Sequence, residues 1–138
     1  MRVFLDTNVL VSAYATRGLC ADVLREVLAS HRLVISDPLL VELNRVLRNK
    51  LGIPTELAKE VADQLRRDGL PSRPGALPEA PIQDRKDLAV LSCALEGHSD
   101  LLVTGDKELL DLGRVETLEI VSPRAFWERV RRRRRRRS

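Results

Sequence analysis

The sequence predicts an α/β domain built on a mostly parallel sheet, and three observations support this prediction. Short β-rich runs alternate along the chain with longer segments in which apolar residues recur at helical spacing. The length of 138 residues fits one domain of ordinary size. The composition, 43% hydrophobic and 32% charged, is typical of a soluble globular protein, and no apolar run approaches the ~20 residues of a membrane span.

The first part of the chain contains two predicted strands with helices between them. RVFL at 2–5 predicts the first strand, and a first helix begins at Asn8 and ends near Gly18. Residues 21–30 place apolar side chains one turn apart, which predicts a second helix. LVIS at 33–36 predicts the second strand.

Two further helices follow this second strand. Asp37 precedes Pro38, and a cap followed by proline at the first helical position predicts a helix over 38–51. Thr55 caps the next helix, in which apolar residues again recur at intervals of one turn. These two helices complete the part of the chain that precedes a stiff, proline-rich segment.

That segment, residues 71–83, contains four prolines and one glycine, which favours an ordered loop with at most one brief strand near 81–82. Beyond it the alternation of helices and strands resumes. The predicted elements there are a helix over 85–96 that ends at Gly97, a strand at 101–104, a helix over 107–112, a strand at 118–121 and a helix from 123 through 127.

The net charge of +4 is unevenly distributed along the chain. Seven arginines form one run at 131–137, and without them 17 of the 24 basic residues remain against 20 acidic ones, a net charge of −3. Adjacent guanidinium groups repel one another, so we expect no fixed structure in this run without a partner. The predicted organisation is a mildly acidic domain at 1–130, followed by an arginine-rich tail at 131–138.

Cysteine and histidine offer no metal site at familiar spacings. Cys20 and Cys93 lie far apart and His31 and His98 are isolated, so any metal must be bound by oxygen. We interpret the cysteines as reduced, partly buried thiols. The N-terminus lacks the pattern of a signal peptide, and we therefore expect a cytoplasmic protein.

Two carboxylates follow predicted strands directly. Asp6 follows RVFL and Asp106 follows LLVTG, and both residues lie where a strand gives way to a helix. Sites in parallel α/β sheets form beyond the carboxyl ends of the strands, so the two carboxylates approach one another if their strands are neighbours. Asp100 precedes its strand and lies at the opposite end, roughly 13 Å away at ~3.3 Å per residue, and is excluded from the site.

Further acids have a similar context near helix starts. Glu42 lies one turn into the helix after LVIS, and Asp84 and Asp87 open a later helix one turn apart. Each acid has a simpler interpretation, because carboxylates in a first turn cap the helix or stabilise its dipole by ~0.3–1 kcal/mol. Asp37 and Asp84 fit that cap interpretation best. The convergence of several acids on one edge of the sheet nevertheless favours a metal site, since carboxylates held together repel unless a cation intervenes. Oxygen ligands suit Mg²⁺ or Mn²⁺, which promote phosphoryl chemistry.

Four motifs in order give the chain a family resemblance. FLDTNVLVSA, SDPLLVELNRVL, DRKDLAVLSCAL and LLVTGDKELL together resemble the PIN domain, and LEIVSPRAFWERV is similar to the last strand and helix of that family. The resemblance covers roughly residues 1–130. It implies a three-layer α/β/α sandwich with a central, mostly parallel sheet and a metal-dependent ribonuclease activity. Many bacterial members are toxins of toxin–antitoxin pairs, such as the VapC-type toxins, which implies a small antitoxin partner and a homodimer.

The resemblance also implies roles for individual residues. Residues matching the acidic quartet that binds Mg²⁺ or Mn²⁺ are Asp6, Glu42, Asp87 and Asp106. Asn8 and Thr104 match supporting polar positions, and Asp84 is a further, outer ligand candidate. The sequence leaves open whether one metal or two would bind.

The substrate would be contacted mainly through charge. Aromatic residues make up only 3% of the chain, which does not support extensive base stacking. Candidate phosphate contacts on RNA are Arg17, Arg85, Lys86 and Lys107, although each of them is equally consistent with ordinary surface charge.

Two functions of other classes stay open beside the ribonuclease. A non-catalytic RNA-binding module would keep the fold without needing the intact acidic quartet. A phosphohydrolase of the haloacid dehalogenase type also begins with a strand and an Asp, but it needs a second Asp where Asn8 stands.

Overall fold

The computed structural model describes residues 1–137, which form an α/β fold around one six-stranded sheet. The strands are β1 (Arg2–Leu5), β2 (Arg32–Ser36), β3 (Leu70–Ser72), β4 (Leu101–Val103), β5 (Arg114–Val115) and β6 (Leu118–Val121). The helices are α1 (Thr7–Ala15), α2 (Leu19–Ser30), α3 (Asp37–Asn49), α4 (Thr55–Asp68), α5 (Arg85–Glu96), α6 (Lys107–Leu112) and α7 (Pro123–Arg137).

The sheet has the strand order β3-β2-β1-β4-β6-β5, with β1 and β4 at its centre. All neighbouring strands are parallel except β5 and β6, which pair antiparallel. The central strands are short apolar runs buried on both faces, as expected for parallel strands covered by helices. The predicted fold class, a three-layer α/β/α sandwich with a mostly parallel sheet, is confirmed.

The helices contact one another as well as the sheet. One set is linked by helix–helix contacts: α1 packs on α2 and α3, α3 packs on α4, and α2 packs on α7. Direct contacts with the sheet are made by α2, α3, α4 and α5, which all pack on β2, and α5 also packs on β3. The end of α5 comes so close to β2 that a Cβ atom at Gly97 would lie 2.5 Å from Val34 Cγ1, so this position has no room for a side chain.

Several predicted boundaries differ from the structure. The brief strand lies at Leu70–Ser72 rather than near residues 81–82, and it forms the outer edge of the sheet beside β2. An edge strand tolerates Pro71 because one side of its backbone needs no ladder partner. The side chain of Ser36, rather than Asp37, caps α3 by accepting a hydrogen bond from Leu39 N at 3.4 Å. The two-residue strand β5 was not predicted.

The largest difference concerns the arginine run. The last helix was predicted to end near Trp127, with no fixed structure beyond residue 130, but α7 continues to Arg137. Phe126 and Val130 lie one turn apart on its buried side, and Arg134, one turn further on, forms an ion pair with Glu26 of α2. The predicted boundary between domain and tail therefore falls inside a helix, and the expectation of an unstructured run was wrong.

No helix within residues 1–137 is both long enough and apolar enough to cross a membrane.

Candidate functional site

Asp6 and Asp106 lie at the carboxyl ends of neighbouring strands. β1 and β4 pair in register, with Leu5 opposite Val103, and Asp6 N donates to Val103 O at 3.0 Å. Each aspartate is also the N-cap of the helix that follows, Asp6 for α1 and Asp106 for α6. Each of these carboxylates therefore caps a helix and also lies at the carboxyl edge of the sheet, so the cap interpretation does not exclude a functional role.

Thr104 connects the two aspartates. Its side chain is completely buried, and its Oγ1 donates to Asp6 Oδ2 at 2.7 Å while accepting from Asp106 N at 3.0 Å. A hydroxyl group has one proton to donate, so these two bonds fix its orientation. The second oxygen of Asp6, Oδ1, accepts from Thr7 N at 2.7 Å. The rotamer of Asp6 is thus determined from both sides.

Burial governs the ionisation of Asp6. Its pKa lies above the ordinary value of an aspartate, first because the carboxylate is desolvated and also because Asp106 is nearby. The hydrogen bonds from Thr104 and from the Thr7 backbone oppose this rise by stabilising the charged form. The hydrogen bonds therefore offset part of the cost of burying the Asp6 carboxylate.

Asp87 adds a third carboxylate from α5. Its pKa is raised from 3.8 to about 6, first by burial and then by repulsion from Asp106, Asp84 and Asp6 in that order. Asp84 caps the same helix, since its Oδ1 accepts from Lys86 N at 2.8 Å. The structure therefore brings Asp6, Asp84, Asp87 and Asp106 close enough for their charges to interact, at one edge of the sheet.

Glu108 belongs to this group, although the sequence did not indicate it. Its charge also raises the pKa of Asp87, and its backbone N–H donates to Asp106 Oδ1 at 2.9 Å. The signal was present in the sequence as an acid in the first turn after Asp106. First-turn acids are common stabilisers of helix dipoles, so this position alone does not indicate a site residue.

The carboxylate of Glu42 is hydrogen-bonded to Arg45 of the same helix. It accepts two hydrogen bonds from Arg45, at 2.7 Å from Nη2 and 3.1 Å from Nε. These bonds, followed by the charges of Arg45, Lys86 and Lys50, hold the pKa of Glu42 below its usual value despite some desolvation. The role of Glu42 in the acidic quartet therefore stays a prediction, and it requires this carboxylate to leave Arg45.

The predicted phosphate contacts are all exposed, but they are not all at the same place. Arg85 and Lys86 lie in the first turn of α5 beside Asp84 and Asp87, and Lys107 follows Asp106. Arg17 lies apart from them in the turn between α1 and α2. Asn8, the predicted supporting residue, is exposed on the first turn of α1.

Residues 2–108 match the sequence model of the PIN domain, a span that includes all of these carboxylates. The chain belongs to the PIN domain family. The matched span ends inside α6, so β5, β6 and α7 lie beyond it. None of the curated proteins compared with this chain matches its sequence significantly.

Solved structures show the same fold. A chain in the structure of VapBC2 from Rickettsia felis bound to a DNA fragment from their promoter is similar to this PIN domain with a TM-score of 0.62 and 18% identity, over 88% of this chain and 98% of that one. A chain of VapBC-1 from nontypeable Haemophilus influenzae has a TM-score of 0.57 and 18% identity, over 89% and 98%. At this level of identity the similarity supports the fold alone.

The carboxylates of this PIN domain suit a hard divalent cation by their chemistry. All the donors are oxygens, and their mutual repulsion would be relieved by a positive charge. Within residues 1–137, however, no three acidic, cysteine or histidine side chains are arranged closely enough to hold a metal ion as they stand. Glu42 would have to leave Arg45 to join a coordination sphere.

Proposed function

We propose that this PIN domain is a ribonuclease that depends on Mg²⁺ or Mn²⁺ and hydrolyses RNA phosphodiester bonds. The observation that carries the proposal is the convergence of Asp6, Asp87 and Asp106 beyond the carboxyl ends of β1 and β4, with Thr104 joining two of them. A metal site needs such preorganised acids, whereas a structural cluster of like charges only destabilises the fold.

Each acidic residue has a role in this proposal. Asp6 and Asp106 would hold the cation directly, with Glu42 and Asp87 completing its shell, directly or through water. The chemistry that the cation supplies when bound is activation of water and stabilisation of the charge on the phosphate. Asp87 is the group we assign to accept the proton of the attacking water. The water oxygen bonds to phosphorus as the P–O bond to the leaving group breaks, and the leaving oxygen is protonated from solvent.

Cations at the rim of the site fit a polyanionic substrate. Arg85, Lys86 and Lys107 stand beside the acids in sequence and are exposed. We assign them to bind phosphates on either side of the scissile bond, while Asn8 and Asp84 orient the groups around the cation. Arg17 is kept as a more distant contact, because it lies in the turn between α1 and α2.

Cleavage of RNA by the purified chain tests the proposal. We expect turnover of a single-stranded RNA in the presence of Mn²⁺ or Mg²⁺ and none when EDTA replaces the metal. DNA of the same sequence serves as the comparison substrate. Binding of RNA without cleavage under every metal condition would contradict the proposal and favour the non-catalytic RNA-binding module instead.

The biological context we propose is a toxin–antitoxin pair of the VapC type. The support is the fold shared with chains of two VapBC structures, one of them bound to promoter DNA. A small antitoxin protein is then the expected partner. Its gene would stand next to the gene of this chain, upstream of it.

A homodimer is the assembly we expect for this toxin. Two large apolar side chains on adjacent helices are open to solvent, Val41 of α3 at 65% exposure and Leu57 of α4 at 53%. Burial of this surface would recover roughly 25 cal/mol per Å² of apolar area. Light scattering at micromolar concentration should give twice the 15.6 kDa of one chain. The double variant Val41→Lys, Leu57→Lys should give a single chain, and a wild-type protein of 15.6 kDa would contradict the prediction.

A further inference from the structure

The arginine run of α7 is held in place by one of its own members. Arg134 forms an ion pair with Oε1 of Glu26, a residue of α2 whose side chain is only 6% exposed. A buried carboxylate without a partner would be costly, so this contact anchors the last turns of α7 on α2. The anchor continues the buried side of the helix, on which Phe126 and Val130 lie.

The charge of Glu26 is balanced by Arg134 rather than by the neighbouring histidine. His31 Nε2 lies 3.3 Å from Oε2 of Glu26, but desolvation and the nearby N-terminal amino group lower the pKa of His31. At neutral pH the imidazole is therefore mostly uncharged, and the guanidinium of Arg134 remains as the compensating cation. This arginine is part of the packing of the fold.

Other arginines of the run are directed away from this anchor. At 100° per residue, Arg131, Arg132 and Arg136 lie outside the stripe that Phe126, Val130 and Arg134 form, and all three are exposed. They lie within about 8 Å along the helix axis, given a rise of 1.5 Å per residue. We call these three residues the outer arginines.

The outer arginines are at the opposite edge of the sheet from the acids. Glu26 contacts His31, which immediately precedes β2, and the N-terminal amino group lies 3.4 Å from His31 Nδ1, just before β1. Parallel strands begin at the same edge, so this region is the amino edge, whereas Asp6 and Asp106 follow the carboxyl ends. The 15 residues of α7 correspond to about 22 Å of helix, which spans the distance between the edges.

We propose that the outer arginines bind the phosphate backbone of the single-stranded RNA whose cleavage is proposed above, and so form a second contact at the amino edge. Guanidinium groups match phosphate oxygens in pairs, and closely spaced ones follow a backbone without reading its sequence. This inference rests on the proposed function for the identity of the polyanion.

The burial of the apolar side of α7 favours RNA over a membrane surface. A helix that lies on a membrane needs an exposed apolar face, but Phe126 and Val130 are buried in the core. The arrangement at both edges also predicts a dependence on length. A dinucleotide is too short to contact both edges, whereas a strand of about 20 nucleotides is long enough, since a stacked strand rises about 3.4 Å per nucleotide and α7 is only ~22 Å long.

The experiment compares two triple variants of the full chain. The test variant is R131Q/R132Q/R136Q, which leaves the Arg134 anchor in place and uses a residue of similar helix propensity. The control variant removes three exposed cations from α3 and α4, R48Q/K59Q/R67Q. Circular dichroism establishes that both keep their helices. Binding of a labelled 20-nucleotide RNA is then measured in EDTA, so that the result does not depend on cleavage.

We expect the salt dependence to separate the two variants. Each lost phosphate contact reduces the slope of log K against log[salt] by about 0.7, so the test variant should lose roughly 2 from its slope and the control nothing. Between 50 and 200 mM salt the wild type then loses roughly 20-fold more affinity than the test variant. Equal slopes for all three proteins would overturn the inference.

A second arm separates this inference from the proposed activity. With Mn²⁺ present, cleavage of a dinucleotide should be equal for the wild type and both variants, while cleavage of the 20-nucleotide RNA at low substrate concentration falls only in the test variant. A slope difference without any cleavage would refute the ribonuclease and keep the RNA contact. Tighter binding of the wild type to polyglutamate than to RNA of equal charge would assign the outer arginines to an acidic protein and overturn the inference.

Discussion

Asn in place of Asp6 or Asp106 is expected to abolish metal-dependent RNA cleavage and to leave the fold intact. Either change would remove a charged ligand of the proposed cation, and the charge stabilisation that such a cation supplies is worth several kcal/mol. The fold should persist because a side-chain amide can still cap a helix, as Asp6 and Asp106 now cap α1 and α6.

Single-turnover cleavage of a labelled RNA in Mn²⁺ measures this effect, with circular dichroism and thermal unfolding as checks on the fold. The matched control is Asp111→Asn, which removes an exposed carboxylate from the far end of α6 and should cleave like the wild type. Full turnover by either purified site variant would remove that residue from the proposed active site.

The two aspartates also differ in an instructive way. Asp6 uses both oxygens in hydrogen bonds, to Thr7 N and Thr104 Oγ1, whereas Asp106 caps α6 through Oδ1. An amide at position 6 can turn only one oxygen to these two donors, so Thr104 must reorient its hydroxyl. We therefore expect Asp6→Asn to lower the melting temperature more than Asp106→Asn does.

The sequence alone could predict those parts of the site that depend on the order of strands and helices along the chain. Asp6 and Asp106 could be placed at one edge because each follows a parallel strand, and the carboxyl ends of such strands always share an edge. Thr104 could be assigned only by resemblance. Its buried bonds to both aspartates depend on the register of β1 against β4, which no local pattern specifies.

Contacts between distant side chains were beyond the sequence. The continuation of α7 depends on Glu26, which is 108 residues away from Arg134 along the chain, and local charge repulsion alone predicted the opposite. The pairing of Glu42 with Arg45 is a local i, i+3 contact. Whether Glu42 stays bonded to Arg45 or turns to a metal ion depends on the rotation of its side chain. Similarly, residues 70–72 form the strand β3 because they pair with β2, although they include Pro71.

Removal of the charge at Asp87 is expected to stabilise the metal-free protein at neutral pH. The pKa of Asp87 is raised from 3.8 to about 6 by burial and by repulsion from Asp106, Asp84, Asp6 and Glu108. In the unfolded chain this pKa returns to the ordinary value. Between about pH 4 and pH 6 the folded state therefore binds more protons than the unfolded state, and the free energy of unfolding of the wild type decreases as the pH rises.

Asp87→Asn eliminates this dependence, because an amide does not titrate. We expect the variant to exceed the wild type by about 1 kcal/mol in the free energy of unfolding at pH 7 to 8, after allowance for solvent screening of a partly exposed group, and the difference to vanish near pH 4. Urea unfolding in EDTA at intervals of one pH unit measures both curves. Parallel curves for wild type and variant across this range would contradict the prediction, and Asp111→Asn should follow the wild type.

If Asp87 helps to hold a cation, addition of metal should make the wild type more stable than Asp87→Asn. A ligand that binds only the folded state stabilises it in proportion to the logarithm of its concentration over the dissociation constant. Addition of Mn²⁺ at pH 7.5 should therefore raise the free energy of unfolding of the wild type more than that of Asp87→Asn. Equal stabilisation of both proteins would exclude Asp87 from the cation's shell, and the repulsion that raises its pKa would then be a cost of the fold without a compensating ligand.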